Sequence, residues 1–214
     1  MADIRAGAAN LANRAYNSVS EMIRRRQLRG GEIITEARLA EQLKISRTPL
    51  REALQRLEGE GLVLKRTGRS FVVRHVDLRE YLQSLKVREI LEAEAAGLAV
   101  GHIPADRIMA VRQEIEVLKA AVTFHTDAHW RSDDNLHGVY VDHCGNEVLG
   151  QLIRSLRVTT RLFEIARLSD RIELDETEHL AILAALEKND VQAARSAVHS
   201  HIQSLSRSAL ETVL

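Results

Sequence analysis

The chain has 214 residues with 45% hydrophobic content and balanced charges, 30 basic and 30 acidic side chains, which supports one or two packed domains and excludes a disordered chain. No run approaches the about 18 apolar residues of a membrane span, and the single cysteine, Cys144, excludes an intrachain disulfide. Two prolines, 3% aromatic residues and abundant Ala, Leu, Arg and Glu indicate a mostly helical protein and exclude an all-β sandwich or a Rossmann enzyme.

Three helices are predicted within the first 60 residues. The first carries apolar side chains at helical spacing from Leu11 to Ile23, and the glycine pair at 30–31 is predicted to end it, since glycine relieves strain at a helix C-terminus. A short second helix over 39–43 is followed by a tight turn. Ser46 is then a favourable N-cap for the third helix.

The third helix and the segment after it have the layout of a DNA-binding module. The helix has an apolar face and presents Arg47 and Arg51 on the opposite side, and two short strands over 62–66 and 69–73 flank a turn at Gly68. A helix, a turn, an arginine-faced helix and a basic hairpin are typical of a major-groove reader with a wing. The alternative is that the two arginines only solvate an amphipathic helix.

Charge is distributed unevenly along the chain. Residues 1–75 carry 15 Lys and Arg against 8 Asp and Glu, a net charge of +7, so the remaining residues carry −7. Eight of the nine histidines follow position 75. A basic N-terminal part favours a polyanionic partner, most simply nucleic acid.

The stretch over 39–62 resembles the DNA-binding domain of GntR-family bacterial transcription regulators, and its core over 46–54, SRTPLREAL, is a specific match. Where that family often has an arginine, this chain has Ala37, and the adjacent Arg38 points about 100° further round the helix. The resemblance implies contacts with operator DNA from Arg47, Thr48, Arg51 and Gly68. We add Arg38, Ser46 and Arg69 as further candidates for DNA contacts.

From Leu78 onward the apolar pattern has helical periodicity throughout. The predicted helices run over 78–101, 105–122, 126–143, 147–168, 176–188 and 191–212. We therefore predict a mostly α fold of two domains. A winged helix-turn-helix domain covers 8–75, and an all-α bundle of six or seven helices covers 78–214.

Asp133 and His137 lie at positions i and i+4 of one predicted helix, so both point from the same face. A carboxylate oxygen and an imidazole nitrogen at that spacing can bind one divalent metal, and His179 and His201 are further candidate ligands. From spacing alone, a satisfied polar pair is the more frequent reason for such an arrangement.

The C-terminal part resembles the ligand-sensing FCD domain of the FadR-like GntR subfamily. The resemblance rests on Asp133-Asp-Asn-Leu-His137, Glu178-His179 and His201, together with the intervening turns. It implies that Asp133, His137, His179 and His201 hold a divalent metal ion, which Asp and His ligands allow to be Zn, Ni, Mn or Fe. It also implies a small organic-acid effector in the bundle cavity.

Arg88 is predicted on the inner face of the first bundle helix, where a guanidinium requires an anionic partner. The sequence leaves two alternatives for the anionic partner of Arg88. Glu92 at i+4 would make a salt bridge, whereas the arginine that the FCD family has at this helix position implies a ligand-binding clamp for a carboxylate.

These observations predict a transcription regulator and not an enzyme. We expect a cytoplasmic homodimer, a repressor, that binds double-stranded operator DNA and responds to the organic acid, with no membrane partner. The alternative function is a metal-dependent hydrolase that uses the Asp and His cluster, although no motif supplies a nucleophile or a general base beside it.

Overall fold

The computed structural model describes residues 2–68, 70–121, 127–167 and 171–213, which are mostly helical with one small sheet. Their contacts define two units. The first runs to Asp77 and includes 161–166, and the second covers 78–160 and 167–214. The predicted fold class, a winged helix-turn-helix followed by an all-α bundle, is confirmed.

The elements before Asp77 are three helices and a three-stranded antiparallel sheet. In chain order they are α1 (Ala2–Arg24), β1 (Ile33–Thr35), α2 (Glu36–Leu43), α3 (Arg47–Gly59), β2 (Val63–Lys65) and β3 (Ser70–Val73). The strand order is β1-β3-β2, so that Phe71 of the central strand lies opposite Ile34 on one side and Lys65 on the other.

Strand β1 is absent from the sequence-based prediction. It has three residues, of which Ile34 is buried while Ile33 and Thr35 are exposed. Alternation of buried and exposed residues over only three positions does not distinguish a strand from a loop in the sequence. The segment becomes a strand because it pairs with the hairpin strand β3 through backbone hydrogen bonds.

The apolar face predicted for α3 forms the centre of the first unit's core. Leu50, Leu54 and Leu57 are fully buried and share one apolar cluster with Val19 of α1 and Phe71 of β3. Because this face is committed to the core, the side chains on the opposite side of α3 remain at the surface.

The turn between α2 and α3 is set by backbone conformation. Lys44 takes a left-handed conformation, φ 53°, and its N–H donates to the carbonyl groups of Ala40 and Glu41. Ser46 precedes α3 with an extended backbone, as expected of an N-cap, but its side chain makes no capping hydrogen bond. The hydroxyl of Ser46 is therefore exposed beside Arg47, the first residue of α3.

Helix α1 ends earlier than predicted. Its last residue is Arg24, and the left-handed residue that follows is Arg26, φ 56°, rather than a glycine. The backbone N–H of Leu28 donates to the carbonyl of Met22, and the Leu28 side chain is buried in the core. Burial of Leu28 favours turning the chain here, before Gly31 takes its own left-handed conformation.

Six described helices follow Asp77, and all of their residues except 161–166 belong to the second unit. They are α4 (Leu78–Ala99), α5 (Ala105–Ala121), α6 (Asp127–Val141), α7 (Glu147–Arg167), α8 (Ile172–Glu187) and α9 (Val191–Val213). Helix α4 packs most extensively against α9, and Gly97 of α4 lies next to the Arg195 side chain of α9.

The helix ends agree with the prediction to within two residues except at α8, which begins at Ile172 instead of 176. Glu173 and Asp175 lie in its first turn, where acidic side chains favour a helix N-terminus. Between α8 and α9, Asn189 is left-handed and the Asp190 carboxylate accepts the N–H of Ala193, as predicted for an N-cap.

Across the part of the chain that the structure describes, no helix is both long and apolar enough to cross a membrane.

Candidate metal centre and nucleic-acid interface

Three histidines from three helices meet in the interior of the second unit. His137 comes from α6, His179 from α8 and His201 from α9, and all three are buried. Their ring centroids are 4.8 Å apart for His179 and His201, 5.5 Å for His137 and His201, and 6.1 Å for His137 and His179. One ring nitrogen of each lies within 4.8 Å of the others.

The Nε2 atoms of these histidines are buried without hydrogen-bond partners among the described residues. An unpaired buried polar atom is costly, so three of them in one place call for a common ligand. Burial, and the neighbouring His201 ring, lower the pKa of His179 well below its usual value. His179 is therefore a neutral imidazole with a lone pair available for a cation.

Asp133 completes the group one helical turn before His137 on α6. Its Oδ1 lies 3.5 Å from Nε2 of His137 and 3.8 Å from Nε2 of His179. Its Oδ2 accepts a hydrogen bond from Arg157 at 2.6 Å. Burial would raise the pKa of Asp133, but Arg157 and His137 outweigh it and hold the pKa well below its usual value, so the carboxylate is ionised.

The structure thus brings together all four predicted metal-ligand candidates. Three imidazole nitrogens and one carboxylate oxygen form a donor set that suits a divalent first-row transition metal.

The other ring nitrogens of two of these histidines contact carboxylates that the sequence analysis did not assign to the metal site. Nδ1 of His137 lies 2.5 Å from Oε2 of Glu92 on α4, and Nδ1 of His201 lies 2.9 Å from Oε2 of Glu178 on α8. Glu178 belongs to the family motif without an assigned role, and the sequence predicts Glu92 only as a partner of Arg88.

Glu92 is the centre of a fully buried polar network. Its Oε1 accepts a hydrogen bond from Nε of Arg88 at 2.6 Å, and its Oε2 accepts one from the Tyr140 hydroxyl at 2.6 Å. Burial would raise the pKa of Glu92, but Arg88 and His137 hold it well below its usual value. Burial and Glu92 together raise the pKa of Tyr140 well above its usual value, so its hydroxyl stays protonated as a donor.

Arg88 lies on the inner face of α4, with no exposed surface. The salt bridge to Glu92 that the sequence offered as one alternative is present, and Nη1 donates to the Thr160 hydroxyl at 2.8 Å. Nη2 is buried and has no hydrogen-bond partner among the described residues. The Nη2 group of the guanidinium therefore keeps an unused donor, which neither Glu92 nor Thr160 satisfies.

A second acidic group lies beside His201 but already has a cation. Asp175 and Glu178 each form an ion pair with Nη2 of Arg171, at a distance of 2.9 Å. Nη1 of Arg171 donates to the side chains of Ser204 and Ser208 on α9. Arg171 therefore supplies a positive charge to both carboxylates.

In the first unit, the DNA-binding candidates come from α2, from the start of α3 and from the turn between β2 and β3. Arg38, Ser46, Arg47, Thr48 and Gly68 are exposed, and Gly68 has the left-handed φ of 79° that favours glycine at the wing turn. Arg69 lies outside the described residues.

Arg51 differs from the other candidates because it is paired within the protein. Its Nε and Nη2 donate to the two carboxylate oxygens of Glu36, at 2.9 and 2.6 Å. Hydrogen bonding to Glu36 raises the pKa of Arg51 above its usual value. Glu36 begins α2 and is buried, and no periodicity in the sequence indicates this contact between two helices.

Comparisons with known proteins agree with both units. Residues 11–73 match the family model "Bacterial regulatory proteins, gntR family", and residues 83–204 match the FCD domain model. The chain is 32% identical to the Nta operon transcriptional regulator of Aminobacter aminovorans, over 82% of this chain and 83% of that protein.

Among solved structures, E. coli McbR/YncC is similar with a TM-score of 0.74 and 20% identity, covering 95% of this chain and 99% of that one. The Zn2+-bound FCD domain of TM0439 is similar with a TM-score of 0.53 and 16% identity, covering 65% of this chain and 97% of that one. The family matches and the relatives are transcription regulators and not enzymes, and they give the hydrolase alternative no support.

Proposed function

Since this chain belongs to the gntR family of bacterial regulatory proteins, carries an FCD domain and is a DNA-binding transcription regulator, we propose that a small carboxylate in its helical domain controls operator binding. The observation that carries this proposal is the buried site itself. It combines three unpaired histidine nitrogens with an arginine that keeps an unpaired donor in the same interior.

A divalent metal ion is the first component of the proposed site. Asp133, His137, His179 and His201 would hold it, and the Zn2+-bound FCD domain of TM0439 supports a metal of this class. Zn, Ni, Mn and Fe all accept this donor set. The bound ion would supply positive charge and a coordination position for a ligand oxygen.

The effector is the second component, a small organic acid that contacts both the metal and Arg88. Nη2 of Arg88 would donate a charge-assisted hydrogen bond to the carboxylate, while Glu92 and Thr160 hold the rest of the guanidinium. The anion would also relieve the cost of the unpaired buried donor.

The partner of the first unit is double-stranded operator DNA. We assign the contacts to Arg38, Ser46, Arg47, Thr48, Arg51, Gly68 and Arg69. In this assignment the Glu36 carboxylate holds Arg51 against α2, and the exposed Arg47 and Thr48 are the candidates for direct base contacts.

We further propose that the regulator is a cytoplasmic homodimer and a repressor. Two winged helices would bind the halves of an inverted repeat, and the effector would shift the dimer between DNA-competent and DNA-incompetent arrangements. Helix α4 supplies a surface for a second copy, because Val87, Ile90 and Leu98 form one exposed apolar stripe at helical spacing, which the exposed Glu94 interrupts between Ile90 and Leu98.

The test is DNA release by the metal-loaded protein. We expect specific retardation of the DNA upstream of the protein's own gene, and release of that DNA by one member of a panel of small carboxylates. Arg88→Lys, which keeps the charge but loses the planar fork, is expected to shift release to higher effector concentrations. A wild-type protein that binds its DNA equally with every carboxylate and with metal removed would contradict the proposed control.

A further inference from the structure

We propose that Glu92 and Glu178 are positioning residues of the metal centre, each holding one histidine ring so that its Nε2 faces the metal. This inference rests on the proposed metal site. The two carboxylates come from α4 and α8, and the histidines they contact come from α6 and α9.

The geometry at His137 determines which ring nitrogen carries the proton. Nδ1 of His137 lies 2.5 Å from Oε2 of Glu92 and 2.5 Å from the Tyr140 hydroxyl, which itself donates to the same Oε2. With the Tyr140 proton directed to Glu92, both oxygens beside Nδ1 can accept a hydrogen bond, so we assign the ring proton to Nδ1. The lone pair of the ring is then on Nε2, the atom that is buried, unpartnered and directed toward Asp133. Glu92 is itself held in place by Arg88 and Tyr140, so this orientation is rigid.

The arrangement at His201 repeats this pattern with different residues. Glu178 contacts Nδ1 of His201 at 2.9 Å, and Arg171 contacts the same Oε2 at 2.9 Å. Arg171 is anchored to Ser204 and Ser208 on α9, the helix that carries His201. The carboxylate is thus fixed relative to the ring that it orients, and Nε2 of His201 is left buried and unpartnered.

Carboxylates that orient metal-binding histidines typically change metal affinity 10–100-fold when they are removed, because the ring loses its preferred tautomer and its orientation. Glu178 allows the cleaner test. Glu92 also neutralises the buried Arg88, so a Glu92 variant combines loss of positioning with an unpaired buried charge, whereas Arg171 retains Asp175 and the serines after Glu178→Gln.

The experiment compares the full chain, Glu178→Gln and the control Glu173→Gln, in which an exposed carboxylate on the same helix is neutralised. Zn2+ affinity is measured by competition with a chelator of known affinity. We expect Glu178→Gln to bind Zn2+ about 10–100-fold more weakly than wild type, and Glu173→Gln to bind it as wild type does.

A second measurement tests both histidines without a variant. Nitrogen NMR of the Zn2+-loaded wild-type chain with labelled histidine reports which ring nitrogen carries the metal. We expect Nε2 coordination with a protonated Nδ1 at His137 and His201. Coordination through Nδ1, or wild-type affinity in Glu178→Gln, would overturn the positioning role. A wild-type chain that binds no Zn2+ would instead overturn the proposed metal centre, and the positioning role with it.

Discussion

Arg47 is the residue at which DNA recognition can be tested with the least disturbance to the fold. It is exposed at the first position of α3 and points away from the core. We expect Arg47→Ala to weaken operator binding by about 1–3 kcal/mol through the loss of a base contact. Titration of labelled operator DNA at physiological salt measures the change.

Lys188→Ala is a matched control for that titration, since it removes an exposed positive charge from the second unit. An equal loss of affinity in both variants would mean that Arg47 contributes only general charge.

The buried pair of Arg88 and Glu92 gives a prediction about stability. Both side chains are fully buried, so Arg88→Met leaves Glu92 without its main countercharge. We expect Arg88→Met to lower the free energy of unfolding by about 3–5 kcal/mol. Denaturant unfolding of the metal-free chain measures this without any contribution from the metal.

The double variant Arg88→Met with Glu92→Met distinguishes this cause from lost packing. Removing both charges is expected to recover most of the lost stability, because no unpaired charge remains. Equal stability of the single and double variants would show that the charge of Glu92 is not the cause.

At the scale of the elements, Gly97 of α4 leaves space for the Arg195 side chain of α9. A Cβ at this position would collide with the Nε atom of Arg195 on α9. We expect Gly97→Ala to destabilise the chain by about 1–3 kcal/mol through overpacking, although alanine is the better helix former. The measurement is the midpoint of thermal or denaturant unfolding.

Gly59→Ala is the control, because Gly59 is helical in α3 and a Cβ there meets no atom within 4 Å. We expect it to leave stability unchanged or to raise it by up to about 1 kcal/mol. If both variants behave alike, the close approach of Arg195 has no energetic effect.

The surface of α4 gives a second prediction at this scale. Ile90 is 62% exposed and lies in the apolar stripe with Val87 and Leu98. We expect Ile90→Glu to abolish the proposed dimer, because an added charge in the proposed apolar interface would not be compensated. Light scattering after size-exclusion chromatography measures the mass.

Val117→Glu is the matched control for Ile90→Glu, since Val117 is 58% exposed but lies on α5, outside the stripe. We expect it to remain dimeric. A dimeric Ile90→Glu variant would move the proposed interface away from α4.

At the scale of the whole molecule, we expect removal of the metal to lower thermal stability and to leave the helical fold unchanged. The apolar side chains of α4, α8 and α9 remain buried without the ion, so we expect chelation to keep the helical content. The melting temperature is expected to fall, because a ligand that binds the native state stabilises it by mass action. Circular dichroism measures both quantities.

Reloading with Zn2+ completes the comparison. The melting temperature should return to its original value in the wild-type chain and should not do so in His179→Gln, which lacks one proposed ligand. Loss of helical content on chelation would show that the metal is needed for the fold itself.

Much of the architecture follows from the sequence alone. The sequence predicts the helices from Leu78 onward, the apolar face of α3 and the hairpin at Gly68. These features depend on residues that are close in the chain, and the geometry between such residues is the same in any fold. For the same reason the i, i+4 spacing is sufficient to place Asp133 and His137 on one face. Spacing does not connect His179 and His201 to that pair, and only the resemblance to the family predicts that they belong to the same site.

The tertiary structure decided the contacts between elements. The buried Glu36 meets Arg51, Glu92 meets His137, and Glu178 meets His201 together with Arg171. The end of α1 at Arg24 and the strand β1 were decided in the same way, by burial of Leu28 and by pairing with β3. Such contacts arise when packed helices and strands bring distant residues together, and local periodicity holds no information about which helix becomes the neighbour of another.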